Sequence, residues 1–122
     1  MNFASLPEPL PEHIRVIRVE AQEGVRTNAS SCFAHHWAHL PVPMEDDMPY
    51  AQARINLERH GHVCGALVHT FHEWFPEGWI EGLPSKGLQV VALDVPEHAA
   101  LVGHFQVLFD REQAKEVQVL LC

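Results

Sequence analysis

His13-Ile14-Arg15-Val16-Ile17-Arg18-Val19-Glu20 is the stretch on which the fold turns. Its β-branched content and its alternation predict a strand. Ile14, Val16 and Arg18 share one face, and Arg15, Ile17 and Val19 the other. Pro7, Pro9 and Pro11 precede it and make residues 1–12 a proline-rich extended arm with little helical potential.

Downstream, Asn28, Ser30 and Ser31 offer caps for a helix through Cys32–Leu40, which Pro41 and Pro43 end. A second helix is predicted with Asp46 or Asp47 as cap, Pro49 in its first turn, and Tyr50, Ala53 and Leu57 at helical spacing. Gly61 stops it. Val63–Phe71 reads as a buried strand and Glu73–Pro84 as an aromatic, acidic loop. Leu88–Leu93 is a further strand. Asp94-Val95-Pro96-Glu97 resembles a capping box opening a short helix that ends at Gly103. His104–Phe109 is a strand, and the last segment reads as helix at Asp110–Glu116 and as strand at Val117–Leu121. No repeat or linker divides the chain, so residues 1–122 form one domain. The expectation is α+β, a mainly antiparallel sheet with two or three helices; a small β-barrel is the alternative.

The bulk numbers narrow the function classes. The 122 residues carry eight Lys and Arg against sixteen Asp and Glu, a formal charge of −8 with histidine neutral. Nucleic-acid binding needs a basic stripe, and none is visible. Adding ten positive charges by protonating every histidine would bring the chain to +2, a swing partly within reach of ordinary pH. Cys32, Cys64 and Cys122 lack the spacing of a disulfide framework or a thiolate zinc site. The opening residues lack the basic start and apolar run of a signal peptide, and no apolar run is long enough for a bilayer. The cytoplasm is the expected compartment, with no membrane association.

Ten histidines stand out in a chain of this length. His35 or His36 with His39 would share one helical face. His60 and His62 would share one strand face, continued by Cys64. His69 and His72, followed by Glu73, could meet one ion only where a strand bends. A tetrahedral site draws three or four ligands from separate elements. The leading expectation is therefore a transition metal, zinc first, held among His35, His39, His60, His62, His69 and His72, with a small-molecule pocket beside it. Against this stands packing and surface duty for the same histidines, with His60 simply favouring a helix end. Cys32 offers a third reading, a thiol nucleophile, although most lone cysteines are packing residues.

A rival expectation rests on Trp74, Phe75 and Trp79. Aromatic anchors rimmed by charge are what protein interfaces use, and Glu73, Glu77 and Glu81 would supply an acidic rim. That makes the chain a non-enzymatic adaptor or inhibitor for a basic protein partner, or a self-associating protein. The bland counterpart is a loop folded back over the sheet with its tryptophans buried.

Overall fold

The structure, a computed structural model, describes residues 1–22 and 44–122. The predicted helix through Cys32–Leu40 lies outside the described residues. The elements are β1 (His13–Ala21), α1 (Met44–Asp47), α2 (Tyr50–Glu58), β2 (Val63–Ala66), α3 (Phe71–Trp74) and α4 (Glu77–Ile80). β3 (Leu88–Pro96), β4 (Ala100–Val102), β5 (Gln106–Phe109) and β6 (Lys115–Leu121) follow. The strands form one six-stranded sheet in the order β4-β5-β2-β1-β3-β6, each neighbouring pair antiparallel. The sheet is not closed into a barrel, so the α+β expectation stands and the barrel alternative does not.

β1 holds the centre. It pairs with β3 along its whole length, from His13 opposite Pro96 to Ala21 opposite Leu88, and meets β2 at Ile17 opposite Ala66. Val16, Ile17, Arg18 and Val19 are all buried, so neither face of this strand is left to solvent. On one face Ile17, Val19, Ala66, Val90 and Ala92 pack against Phe71, Trp74, Phe75, Ile80 and Leu83. Nearby, Met48 and Ala53 join Cys64 and Leu108. On the other face Val16, Val91, Leu93, Val95, Val107 and Phe109 form a second cluster. Burying this much aliphatic and aromatic surface is the main stabilising contribution.

Several local readings change on folding. The Val63 strand stops at Ala66, since Thr70 turns the chain by donating its hydroxyl to the carbonyls of Leu67 and Phe105. Asp94 opens no helix: its side chain is buried in an ion pair with Arg15, and β3 runs on through Pro96. Glu97–Ala99 is a single 3₁₀ turn, and Ala100–Val102 is strand rather than helix. At the end of the chain the helix-like Asp110 start gives only the 3₁₀ turn Arg111–Gln113, capped by Asp110, before β6.

Candidate functional site

The aromatic segment after β2 folds as two one-turn helices, α3 and α4, joined at Phe75-Pro76. A one-turn helix has too few internal hydrogen bonds to stand alone, so its stability comes from what it packs against. Trp74 and Phe75 are 3% and 1% exposed and sit in the sheet-facing core with Phe71, whose ring stacks on Phe75 at 5.1 Å. The Trp74 indole donates its N–H to the Phe105 carbonyl at 2.8 Å. Trp79 differs: it is 47% exposed, while its neighbours Ile80 and Leu83 are buried. Glu73, Glu77 and Glu81 are all exposed. The fold therefore divides the predicted aromatic surface, with Trp74 and Phe75 as anchors and Trp79 as its outward group.

The turn between β4 and β5 locks this segment in place. Its amides at His104, Phe105 and Gln106 donate to the Asp47 carboxylate at 2.7, 3.2 and 3.1 Å. The Phe105 carbonyl between them accepts from Thr70 at 2.9 Å as well as from Trp74. Consecutive backbone N–H groups that converge in a turn form an anion-binding concavity. Here the anion is the chain's own carboxylate. Asp47 was a candidate helix cap by sequence, yet Pro49 takes the cap position of α2, with no side-chain bond, and Asp47 serves the hairpin instead.

The amino-terminal arm closes the other side. Phe3 sets its ring edge-on to Phe71 at 5.6 Å and stacks on His72 at 5.7 Å. Leu6 packs on the same cluster. Arg15 bonds the Asp94 carboxylate at 2.7 Å and the Pro7 carbonyl at 2.9 Å, and Asp94 also accepts from the Leu10 amide. Sequence reasoning gave no role to Phe3 or Phe105 and assigned Asp47 to a helix end. An aromatic residue in a proline-rich arm was the one visible signal among them.

The histidines do not build the expected metal site. Among the described residues no group of three or more His, Cys, Asp or Glu side chains is placed to hold an ion. The expectation of a zinc-type, histidine-held centre is corrected accordingly, and its physical cause is local. His60 and His62 flank the turn at Gly61 (φ +63°) rather than lying in one strand row, with ring centroids 6.0 Å apart. His69 lies in the exposed turn after β2, and His72, on α3, is packed against Phe3. His35 and His39, with His36 and Cys32, lie outside the described residues. Burial pushes the His62 imidazole below its ordinary pKa, opposed by the Asp110 carboxylate and aided by His60. Its Nδ1 is buried with no hydrogen-bond partner.

A separate charged group lies on the opposite face of β1. Arg111 makes a two-pronged contact with Glu20 at 2.8 and 3.0 Å, and Arg18 Nε approaches the same carboxylate at 3.5 Å. That hydrogen bond to Glu20 raises the Arg111 pKa, so the guanidinium stays charged. Fixed and paired, this group ties β1 to the β5–β6 connection.

Comparison with known proteins now gives the chain its kin. Residues 12–122 match the family described as Bacteriophage T4 Y00F protein. The chain belongs to that family. It is similar to the "uncharacterized 19.7 kDa protein in motB-dexA intergenic region" of Enterobacteria phage T4, at 27% identity over 105 residues. The match covers 68% of this chain and 63% of that protein, so the chain spans less than two thirds of its relative's length. No solved structure matches. Among the described residues no helix is long and apolar enough to cross a membrane.

Proposed function

We propose that this member of the Y00F family is a protein-binding module that engages a basic surface on its partner through Trp79 and the carboxylates around it. The observation that carries the reading is the division within one short segment. Trp74, Phe75, Ile80 and Leu83 hold α3 and α4 to the sheet, while Trp79 keeps 47% of its surface exposed. A large aromatic group on a pinned segment loses little further freedom on binding, which is why such residues dominate interface energies. Glu73, Glu77 and Glu81 would give the contact its preference for Lys and Arg, and the formal charge of −8 would steer such a partner inward. The same charge disfavours nucleic acid. The free thiol of Cys122 suits a reducing cytoplasm.

The test is capture from cells with the intact chain, then with Trp79→Ala and with a Glu77→Lys, Glu81→Lys double variant. A partner that binds through this surface is lost from both variants, weakens as salt rises, and on purification binds Trp79→Ala about tenfold or more weakly. Captured proteins indifferent to both variants would overturn the reading. Docking of a second copy through the same loop would instead appear as concentration-dependent sedimentation that Trp79→Ala abolishes.

A further inference from the structure

Residues 1–11 form a strap that lies across the α3 side of the sheet, and its grip is made of separable, non-covalent contacts. Phe3 and Leu6 enter the apolar cluster beside Phe71 and His72. The Pro7 carbonyl and the Leu10 amide reach Arg15 and Asp94. After a 3₁₀ turn at Phe3–Ser5, Pro7, Pro9 and Pro11 hold the rest of the strap extended and remove three backbone donors, so it joins no strand. The family match begins at residue 12, which leaves the strap outside the matched stretch and the groove beneath it inside.

The hinge between strap and β1 is strained. Glu12 has φ +59°, the one positive-φ non-glycine residue among the described residues. Left-handed backbone is disfavoured for a residue with a β-carbon, and glutamate has no short polar side chain to compensate. The bend is held by His13 N–H donating to the Leu10 carbonyl at 3.1 Å and Glu97 N–H donating to the Glu12 carbonyl at 3.0 Å. The chain turns sharply there in order to seat the strap on its own groove.

We propose that the groove under the strap is an exchange interface between two copies of this chain, each laying its Phe3 strap into the other's Phe71–His72 groove. The groove already fits this occupant. Exchange keeps the Phe3, Leu6, Pro7 and Leu10 contacts and lets Glu12 leave the left-handed region. Swapping one identical element is a low-cost route to a dimer, and a short strained hinge favours it. What opposes it is the entropy of association and the −8 charge on each copy, so dimer should increase with protein concentration and with salt. The interface is independent of Trp79, and either proposal can fail alone.

The experiment uses the full chain with the photo-crosslinker p-benzoylphenylalanine in place of Phe3, mixed with heavy-isotope-labelled unsubstituted chain and irradiated. The expected result is a crosslink from the light strap to the heavy peptide that contains Phe71 and His72, increasing with concentration and salt. Glu12→Gly should lower the dimerisation constant by roughly tenfold or more, because both hinges lose their left-handed penalty. Glu12→Asn should shift it the same way, without glycine's added freedom. The reciprocal probe at position 72 reports the same exchange if the probe at position 3 disturbs the groove. Crosslinks confined to one chain under all conditions would overturn the proposal. So would inter-chain crosslinks that land outside the groove, or that ignore both Glu12 variants.

Discussion

The Asp47 carboxylate occupies the space that a β-carbon on Gly103 would fill. This contact lets the carboxylate reach three successive amides of the β4–β5 turn at once. Gly103→Ala should therefore act through Asp47, by pushing the carboxylate out of the turn. Hydrogen bonds to a charged acceptor contribute about 1.5–3 kcal/mol each at best, and several sharing one carboxylate do not add. Asp47→Asn should cost about 2 kcal/mol on that basis. Gly103→Ala in the Asp47→Asn background should cost clearly less than alone. Urea denaturation of the four proteins completes the cycle, and additive losses would show that the two residues act separately.

Gly65 predicts a second steric effect, this time in the core. Its missing side chain makes room for Val16 of β1, and an added β-carbon would run into Val16 Cγ1 and crowd the Phe109 ring. Overpacking of this kind typically costs about 1–3 kcal/mol. Gly65→Ala should lower the urea midpoint, and adding Val16→Ala should restore part of the loss. If the double variant is the less stable by the full sum of both changes, Val16 is not what Gly65 accommodates.

What the sequence disclosed and what it hid follow from the range of the interactions involved. β1 was legible because alternation and β-branching are properties of eight adjacent residues. The antiparallel sheet followed from short strands with short connections. Asp47 was misassigned because a carboxylate before a helix is an equally good cap on paper, and its real partners lie 57 to 59 positions away at His104–Gln106. Asp94 failed likewise, its capping-box spacing overridden by Arg15 at a separation of 79. The histidine groups were conspicuous in composition, yet the His60 and His62 rings, 6.0 Å apart, gain no third ligand among the described residues, and His72 packs on Phe3. For Trp74, Phe75 and Trp79 the composition drew attention to the segment, and only the tertiary contacts decide which ring is buried and which is exposed.

His62 sets a pH dependence whose sign can be worked out. Its pKa is lowered in the folded chain, chiefly by burial, so folding favours the neutral ring. The unfolded chain then binds the extra proton first as pH falls below the ordinary imidazole value of ~6.5. The contribution from His62 is fully present above that pH and is lost as pH falls towards the folded pKa. Asp110, whose own pKa is lowered mainly by the Gln113 amide, remains charged across this window and softens the effect. Urea midpoints at about pH 7.5 and about pH 5.5 should differ less in His62→Gln than in the unsubstituted chain. An unchanged difference would mean that His62 is as well solvated folded as unfolded.

Trp74 and Trp79 should separate cleanly in stability. Removing a buried aromatic ring costs about 3–5 kcal/mol, through lost burial and the cavity left behind. Trp74→Ala also leaves the Phe105 carbonyl with Thr70 as its remaining side-chain donor, so its loss should lie at the upper end of that range. Trp74→Phe keeps most of the ring and deletes the indole N–H, and should cost about 1 kcal/mol for the hydrogen bond plus a packing penalty. Trp79→Ala, which removes a half-exposed side chain, should lie within about 1 kcal/mol of the parent. Thermal denaturation followed by circular dichroism ranks the three. A large loss in Trp79→Ala would make Trp79 a packing residue like Trp74 and remove the support for a binding surface there, since weakened capture by that variant would then report unfolding.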